Sequence, residues 1–117
     1  MRILIIDDNE EITNSLSKYL ALENFEVVTS NNGHNGLNLI KTGIYDKILL
    51  DLAMPEFSGI DLLEALNQQD KSKMEKIILF TATSMPTEER KHLADFGIHS
   101  YLKKPIKMPE LVKILNS

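Results

Sequence analysis

The chain has 117 residues, 17 acidic and 13 basic, for a formal charge of −4, with 43% apolar and 26% charged residues and no cysteine. Those values fit one globular domain around one core and leave no room for a second of usual size. They exclude a disulfide scaffold, a thiolate metal site and a cysteine nucleophile, and the acidic balance argues against a direct grip on nucleic acid.

Residues 3–6, Ile-Leu-Ile-Ile, are apolar throughout and read as a strand buried on both faces. Ile12, Leu16, Tyr19 and Leu20 then recur at i, i+4, i+7 and i+8, the spacing of an amphipathic helix. Asp8 followed by Glu11 matches a capping box that opens this helix. Residues 25–28 form the second strand. Leu37 and Ile40 mark a weaker second helix, and Gly36 inside it costs about 1 kcal/mol relative to alanine, which predicts a short or mobile element. The third strand covers residues 48–50, with Lys47 at its mouth. Pro55 and Gly59 punctuate a loop and a helix start, and Leu62, Leu63 and Leu66 share one face of the third helix. Residues 77–80 are the fourth strand. The helix expected over residues 87–96 opens on Glu88, Glu89, Arg90 and Lys91 and offers only Leu93, Ala94 and Phe96 to a core. It should be the least firmly packed. Residues 99–102 are the fifth strand, and Leu111, Val112 and Leu115 lie on a brief last helix.

Five strand–helix units imply an α/β fold: a five-stranded parallel sheet, doubly wound, with right-handed crossovers and order 2-1-3-4-5. Residues 1–117 form a single domain on this reading. No apolar run approaches the ~18 residues of a membrane span, and the apolar stretch after Arg2 is too short for a secretion signal. The expected location is cytoplasmic, with no membrane partner. Four bases face nine acids in residues 1–56, against nine and eight in residues 57–117. That asymmetry reads as an ordinary solvated surface.

In such sheets a ligand lies beyond the carboxyl ends of the strands, where the strand order switches. Asp7 and Asp8 follow strand 1, Asp51 ends strand 3, Thr81 follows strand 4, and Tyr101, Lys103, Lys104 and Pro105 surround the end of strand 5. Three converging carboxylates raise one another's pKa or recruit a cation. Oxygen ligands without histidine or thiolate favour a hard divalent ion, and an open rim suits Mg²⁺, with Mn²⁺ as an alternative. A carboxylate can also attack a phosphoryl group to give an aspartyl phosphate, a transfer that needs positioning and charge neutralisation. Each residue has a plainer reading. Asp8 can be a cap, Asp51 a loop acid, Thr81 a turn hydroxyl, Lys104 a solvated lysine and Tyr101 a core aromatic with a wet hydroxyl. Their joint placement at one edge favours chemistry.

These stretches carry a resemblance. Ile3-Leu-Ile-Ile-Asp-Asp8, Ile48-Leu-Leu-Asp51-Leu-Ala-Met54-Pro55 with Gly59, Phe80-Thr81-Ala82 and Tyr101-Leu-Lys-Lys104-Pro105 resemble the receiver domains of two-component response regulators, the CheY-like family, in order and over essentially the whole chain. The resemblance implies that Asp51 accepts the phosphoryl group. It implies Mg²⁺ held by Asp8, by Asp7 mostly through water, by Asp51 and by the Ala53 backbone carbonyl. Lys104, which directly precedes the proline, would pair with Asp51 and then with the phosphoryl group, leaving Lys103 exposed. The Lys104–Pro105 bond is a candidate cis peptide. Thr81 and the Ala82 amide would bind phosphoryl oxygens. Tyr101 would be the aromatic switch, turning inward as Thr81 moves, and the fourth helix, fifth strand and fifth helix would form the output face.

The implied partners are a sensor histidine kinase or histidine phosphotransfer protein upstream, and a downstream protein target or a missing output domain. A stand-alone regulator and an excised receiver both fit, as do a monomer and a weak dimer paired through Arg90, Lys91, Glu110 and Lys113. Ala53 and Thr83 occupy positions that tune phosphoryl lifetime in the family, and small Ala53 leaves room for attacking water. Met74-Glu75-Lys76 lacks the proline often found before strand 4. Two other readings remain: a phosphorylation-independent interaction domain on the same fold, and an aspartate-nucleophile phosphatase. The second lacks its usual general acid, because Ala53 stands two residues after Asp51.

Overall fold

Isoleucine and leucine fill residues 3–6 and 48–50 without a polar break, and every one of these side chains is buried. They build two neighbouring interior strands of the sheet. The computed structural model describes residues 1–82 and 87–117. Its elements alternate as β1 (Arg2–Ile6), α1 (Glu10–Leu22), β2 (Glu26–Ser30), α2 (Gly33–Thr42), β3 (Lys47–Asp51), α3 (Gly59–Gln69), β4 (Ile77–Thr81), α4 (Thr87–Ala94), β5 (Ser100–Lys103) and α5 (Met108–Leu115). A 3-10 helix over Lys71–Lys76 leads into β4. All strand pairs are parallel, in the order β2-β1-β3-β4-β5 that the strand–helix alternation implies.

Successive side chains of a strand point to opposite faces. Leu4, Ile6, Ile48, Leu50, Ile77 and Leu79 therefore meet Ile40 of α2, Leu62, Leu63 and Leu66 of α3 and Leu93 of α4. Ile3, Ile5, Leu49, Ile78 and Phe80 meet Leu16 and Leu20 of α1 and Leu111 and Leu115 of α5 on the other face. Each fully buried large side chain contributes about 1.5–3 kcal/mol relative to exposure. Leu93 is the one buried residue that α4 supplies, so α4 is thinly anchored, as its charged composition predicts. Among the described residues no helix is long and apolar enough to cross a membrane.

One expectation needs correction. Asp8 and Glu11 do not cap α1. Asn9 is the N-cap, with extended backbone, and its side chain accepts from the amides of Glu11 (2.9 Å) and Ile12 (3.3 Å). The helix starts one residue later than the Asp8 reading required, so the short Asn9 side chain is the one in reach of the free N–H groups. A reciprocal box does form at α3, where Ser58 and Asp61 bond each other's backbone amides. The glycine in α2 has a packing role beside its helix cost. A Cβ on Gly36 would stand 2.8 Å from Ile6 Cδ1 and Cγ2. Gly36 is where α2 closes onto β1, and α2 runs through it to Thr42.

Candidate functional site

Strand pairing sets the acids side by side. Ile6 of β1 is opposite Leu50 of β3, so Asp7 and Asp51 leave the sheet at neighbouring positions on its carboxyl edge. Asp7 is fully buried, Asp51 is 3% exposed, and Asp8 lies exposed at the rim. One carboxylate oxygen from each of Asp7, Asp8 and Asp51 falls within 4.8 Å of the others. Thr81, 2% exposed, ends β4, and Ala82 follows it on the surface. Lys104 reaches in from the end of β5. Its backbone amide donates to the Thr81 carbonyl at 2.8 Å, which ties that loop to β4. The Lys104–Pro105 peptide is cis.

The lysine ammonium sits 2.8 Å from Asp7 Oδ2 and 3.6 Å from Asp51 Oδ1, and 4.7 Å from the centre of the Phe80 ring. The resemblance implied Asp51 as its first partner, but the shorter pair is with Asp7. Both carboxylates are buried, with side-chain exposures of 0% and 5%, so each gains from the shared counter-charge. Asp7 Oδ1 is occupied as well, accepting the Asn9 amide at 2.9 Å.

Asp51 has a different electrostatic setting. Burial first, and then the charge of Asp7, push its carboxyl up from 3.8 to about 6. Lys104 and a hydrogen bond from the Ala53 amide pull it down, and Asp8 adds a smaller upward push. The result is a shielded carboxylate that lacks full neutralisation and can gain from a further cation.

The loop after Asp51 is held closely. Gly59 donates its amide to the Leu52 carbonyl at 3.0 Å, and a Cβ there would meet the Asp51 carbonyl oxygen at 2.5 Å and Leu52 Cα at 2.7 Å. Only glycine lets α3 start this near the Asp51 backbone. Glu56 takes φ 66° between Pro55 and Phe57, whose carbonyl and amide are bonded at 2.7 Å across it. The Phe57 ring stacks on His34 at the start of α2, with centroids 4.2 Å apart.

Tyr101 is half-buried on β5, and the Arg90 guanidinium of α4 lies 5.1 Å from its ring centre. The loop expected to move lies between Ala82 and α4. Residues 83–86, Thr83 among them, lie outside the described residues. The structure thus gathers Asp7, Asp8 and Asp51 at one edge with Lys104 against Asp7 and Asp51, with Thr81 and Ala82 at the adjoining strand end and Tyr101 one element away. Sequence reasoning missed the carboxyl end of β2. Asn31 stands there and donates to the Asp7 backbone. The strand order that places β2 beside β1 contained that signal, because three asparagines follow β2 at 31, 32 and 35.

The donor set fits a hard divalent cation. It is all oxygen, anionic, partly desolvated and open on the Asp8 side, which suits an ion that keeps several waters.

A doubly wound 2-1-3-4-5 sheet with an acid pair after β1, an aspartate ending β3 and a lysine after β5 defines a class of signalling domain. Residues 3–116 match the response regulator receiver domain, and the chain belongs to that family, whose setting is two-component signalling. It is 36% identical over 112 residues to the cell cycle response regulator CtrA of Brucella ovis, covering 96% of this chain and 47% of that protein. It is 30% identical to the transcriptional regulatory protein DltR of Streptococcus agalactiae, covering 96% and 49%. The chain spans about half the length of the curated relatives it matches. The receiver domain of the Francisella response regulator 1452 superposes with a TM-score of 0.86 at 29% identity, over 98% of this chain and 93% of that one. The Vibrio cholerae chemotaxis protein CheY4 superposes with a TM-score of 0.86 at 27% identity, over 98% and 95%.

Proposed function

We propose that Asp51 accepts a phosphoryl group from a phosphohistidine of a sensor histidine kinase or a histidine phosphotransfer protein, in the cytoplasm and with Mg²⁺ in the acidic pocket. The observation that carries this reading is the cluster of Asp7, Asp8 and Asp51 facing the Lys104 ammonium. An Asp51 carboxylate oxygen attacks phosphorus, the P–N bond breaks, and its electron pair leaves on the imidazole nitrogen. Water later cleaves the acyl phosphate, releasing inorganic phosphate and restoring the carboxylate.

Asp7, Asp8, Asp51 and the Ala53 carbonyl would hold the cation, which supplies positive charge where the phosphoryl oxygens gather. Lys104 neutralises Asp7 beforehand and has the reach to share its ammonium with the phosphoryl group. Thr81 and the Ala82 amide donate to the remaining oxygens. Exposed Ala53 leaves space over Asp51 for the water that ends the signal. The chain then regulates partners and promotes only its own phosphorylation and dephosphorylation.

Phosphorylation adds about −1.5 to −2 charge at this edge. Drawing Thr81 toward it shifts the end of β4 and with it the position of Tyr101, a shift between pre-existing arrangements. A change from mostly off to mostly on takes about 5.5 kcal/mol of differential binding. Thin anchoring of α4 supports placing the output on α4, β5 and α5. The partner bound there is a downstream protein or an output domain, in keeping with the regulator names of the longer relatives.

Tyr101 reports the coupling. Phosphorylated wild type is expected to show a changed Tyr101 environment by NMR, and phosphorylated Thr81→Ala to show little of it. A full wild-type change in Thr81→Ala would contradict the coupling. Turnover of added phosphate esters would favour the phosphatase reading, and partner binding unaltered by phosphorylation would favour a scaffold.

A further inference from the structure

We infer that Asn31, at the carboxyl end of β2, is a positioning residue for the acid pair Asp7 and Asp8 and thereby for divalent-cation binding. β2 and β1 are paired through Ser30 opposite Ile6. One step further on, Asp7 donates its backbone amide to the Ser30 carbonyl at 3.0 Å, so the ladder persists past the strand. The chain of β2 then turns away into α2, whose N-cap is Asn32. Among the described residues no backbone amide continues that ladder to the Asp7 carbonyl. The Asn31 side chain takes that place. Its Nδ2 donates to the Asp7 carbonyl at 2.8 Å and to the Thr13 hydroxyl at 3.1 Å.

Both backbone polar groups of Asp7 are thus gripped by consecutive residues, Ser30 and Asn31. The Asp7 carbonyl belongs to the peptide plane that leads into Asp8. Fixing that plane fixes the positions of the Asp8 nitrogen and Cα, from which its side chain leaves, as well as the stem of Asp7. The grip is itself stiffened. Asn35 Nδ2 donates to Ser30 Oγ at 2.9 Å, and Ser30 Oγ donates to the Asn32 carbonyl at 3.0 Å. Asp8, by contrast, is exposed. Its placement rests heavily on the backbone that carries it. Ligands held near the right geometry by such outer partners commonly lose tenfold or more in metal affinity when the partner is removed.

A plainer role, fastening the β2–α2 loop to α1, makes a different prediction. It would act through Thr13 as much as through Asp7. This inference rests on the reading that the acidic pocket holds a divalent cation, and the test separates the two. MgCl₂ is titrated calorimetrically into the unphosphorylated chain, with no phosphodonor, for wild type, Asn31→Ala, Asn31→Ser and Thr13→Val. Thermal midpoints are recorded in chelator. Asn31→Ala and Asn31→Ser are expected to raise the Mg²⁺ Kd about tenfold. Thr13→Val keeps the amide on Asp7. It is expected to lower the midpoint and leave the Kd within about twofold. If Asn31→Ala does not fold, Asn31→Ser, which keeps a polar loop residue, reads the same quantity. A wild-type Kd in a folded Asn31 variant overturns the inference, and so do equal Kd shifts for the Asn31 and Thr13 variants. A wild type that binds no Mg²⁺ overturns the cation reading and this inference together.

Discussion

The Lys104 ammonium is bonded to Asp7 at 2.8 Å and stands further from Asp51, at 3.6 Å. The lysine is thus already engaged with the buried acid beside the proposed nucleophile. In this arrangement its first task is to make a buried carboxylate tolerable, and it is also within reach of any group attached to Asp51.

Removing that charge should therefore cost stability. Lys104→Met is expected to destabilise the chelator-treated protein by about 3 kcal/mol, because it leaves a buried acid beside two others with no counter-charge. Saturating Mg²⁺ should restore much of the loss by binding the folded state alone. Urea unfolding with chelator and with MgCl₂ measures both. Equal stability of variant and wild type in chelator would contradict this role.

Asp51 carries a pH signature. Its folded pKa is raised from 3.8 to about 6, chiefly by burial. The folded state therefore holds the proton more tightly than the unfolded state. The associated stability is fully present below about pH 4 and is lost as the pH rises toward 6. Asp51→Asn, which cannot ionise, should be more stable than metal-free wild type at pH 7.5, by roughly 1–3 kcal/mol. That advantage should shrink as the pH falls through this window. Mg²⁺ competes with the same proton, so its affinity for wild type should drop below pH 6. A pH-independent difference between the two proteins would contradict the shift.

Gly36→Ala sets helix propensity against packing. Alanine gains about 1 kcal/mol in a helix interior. The added methyl would sit 2.8 Å from the Ile6 side chain, which is fully buried and cannot easily yield. Overpacking of this kind costs roughly 1–3 kcal/mol. Net destabilisation is expected, with partial recovery in Gly36→Ala combined with Ile6→Val. A stabilised single variant, read from its urea midpoint, would show that α2 stands off β1.

The fold was legible because its signals are redundant. Unbroken runs such as residues 3–6 and 48–50 mark strands buried on both faces, and Leu62, Leu63 and Leu66 mark a helix face without ambiguity. The acids were legible because parallel strands deliver their following residues to one edge. What escaped depended on offsets of one residue and on three-dimensional contact. Asn9 rather than Asp8 caps α1 because the helix starts one step later, and several cap-forming residues stand in that stretch. Gly36 reads as a weakness until Ile6 is seen against it. The closer partner of Lys104 depends on where the packed sheet sets the two carboxylates relative to the end of β5. Asn31 lies on a strand end where no charged residue drew attention, though the strand order placed it beside Asp7.

The central claim is that Asp51 takes a phosphoryl group in a pocket that needs a divalent cation. Intact mass after exposure to a small-molecule phosphodonor tests it most directly, with and without Mg²⁺, for wild type and Asp51→Asn. One phosphoryl gain in wild type that requires Mg²⁺ and is absent in Asp51→Asn is the expected result. Folded wild type that gains nothing with Mg²⁺ present, or Asp51→Asn that gains as much as wild type, would contradict it.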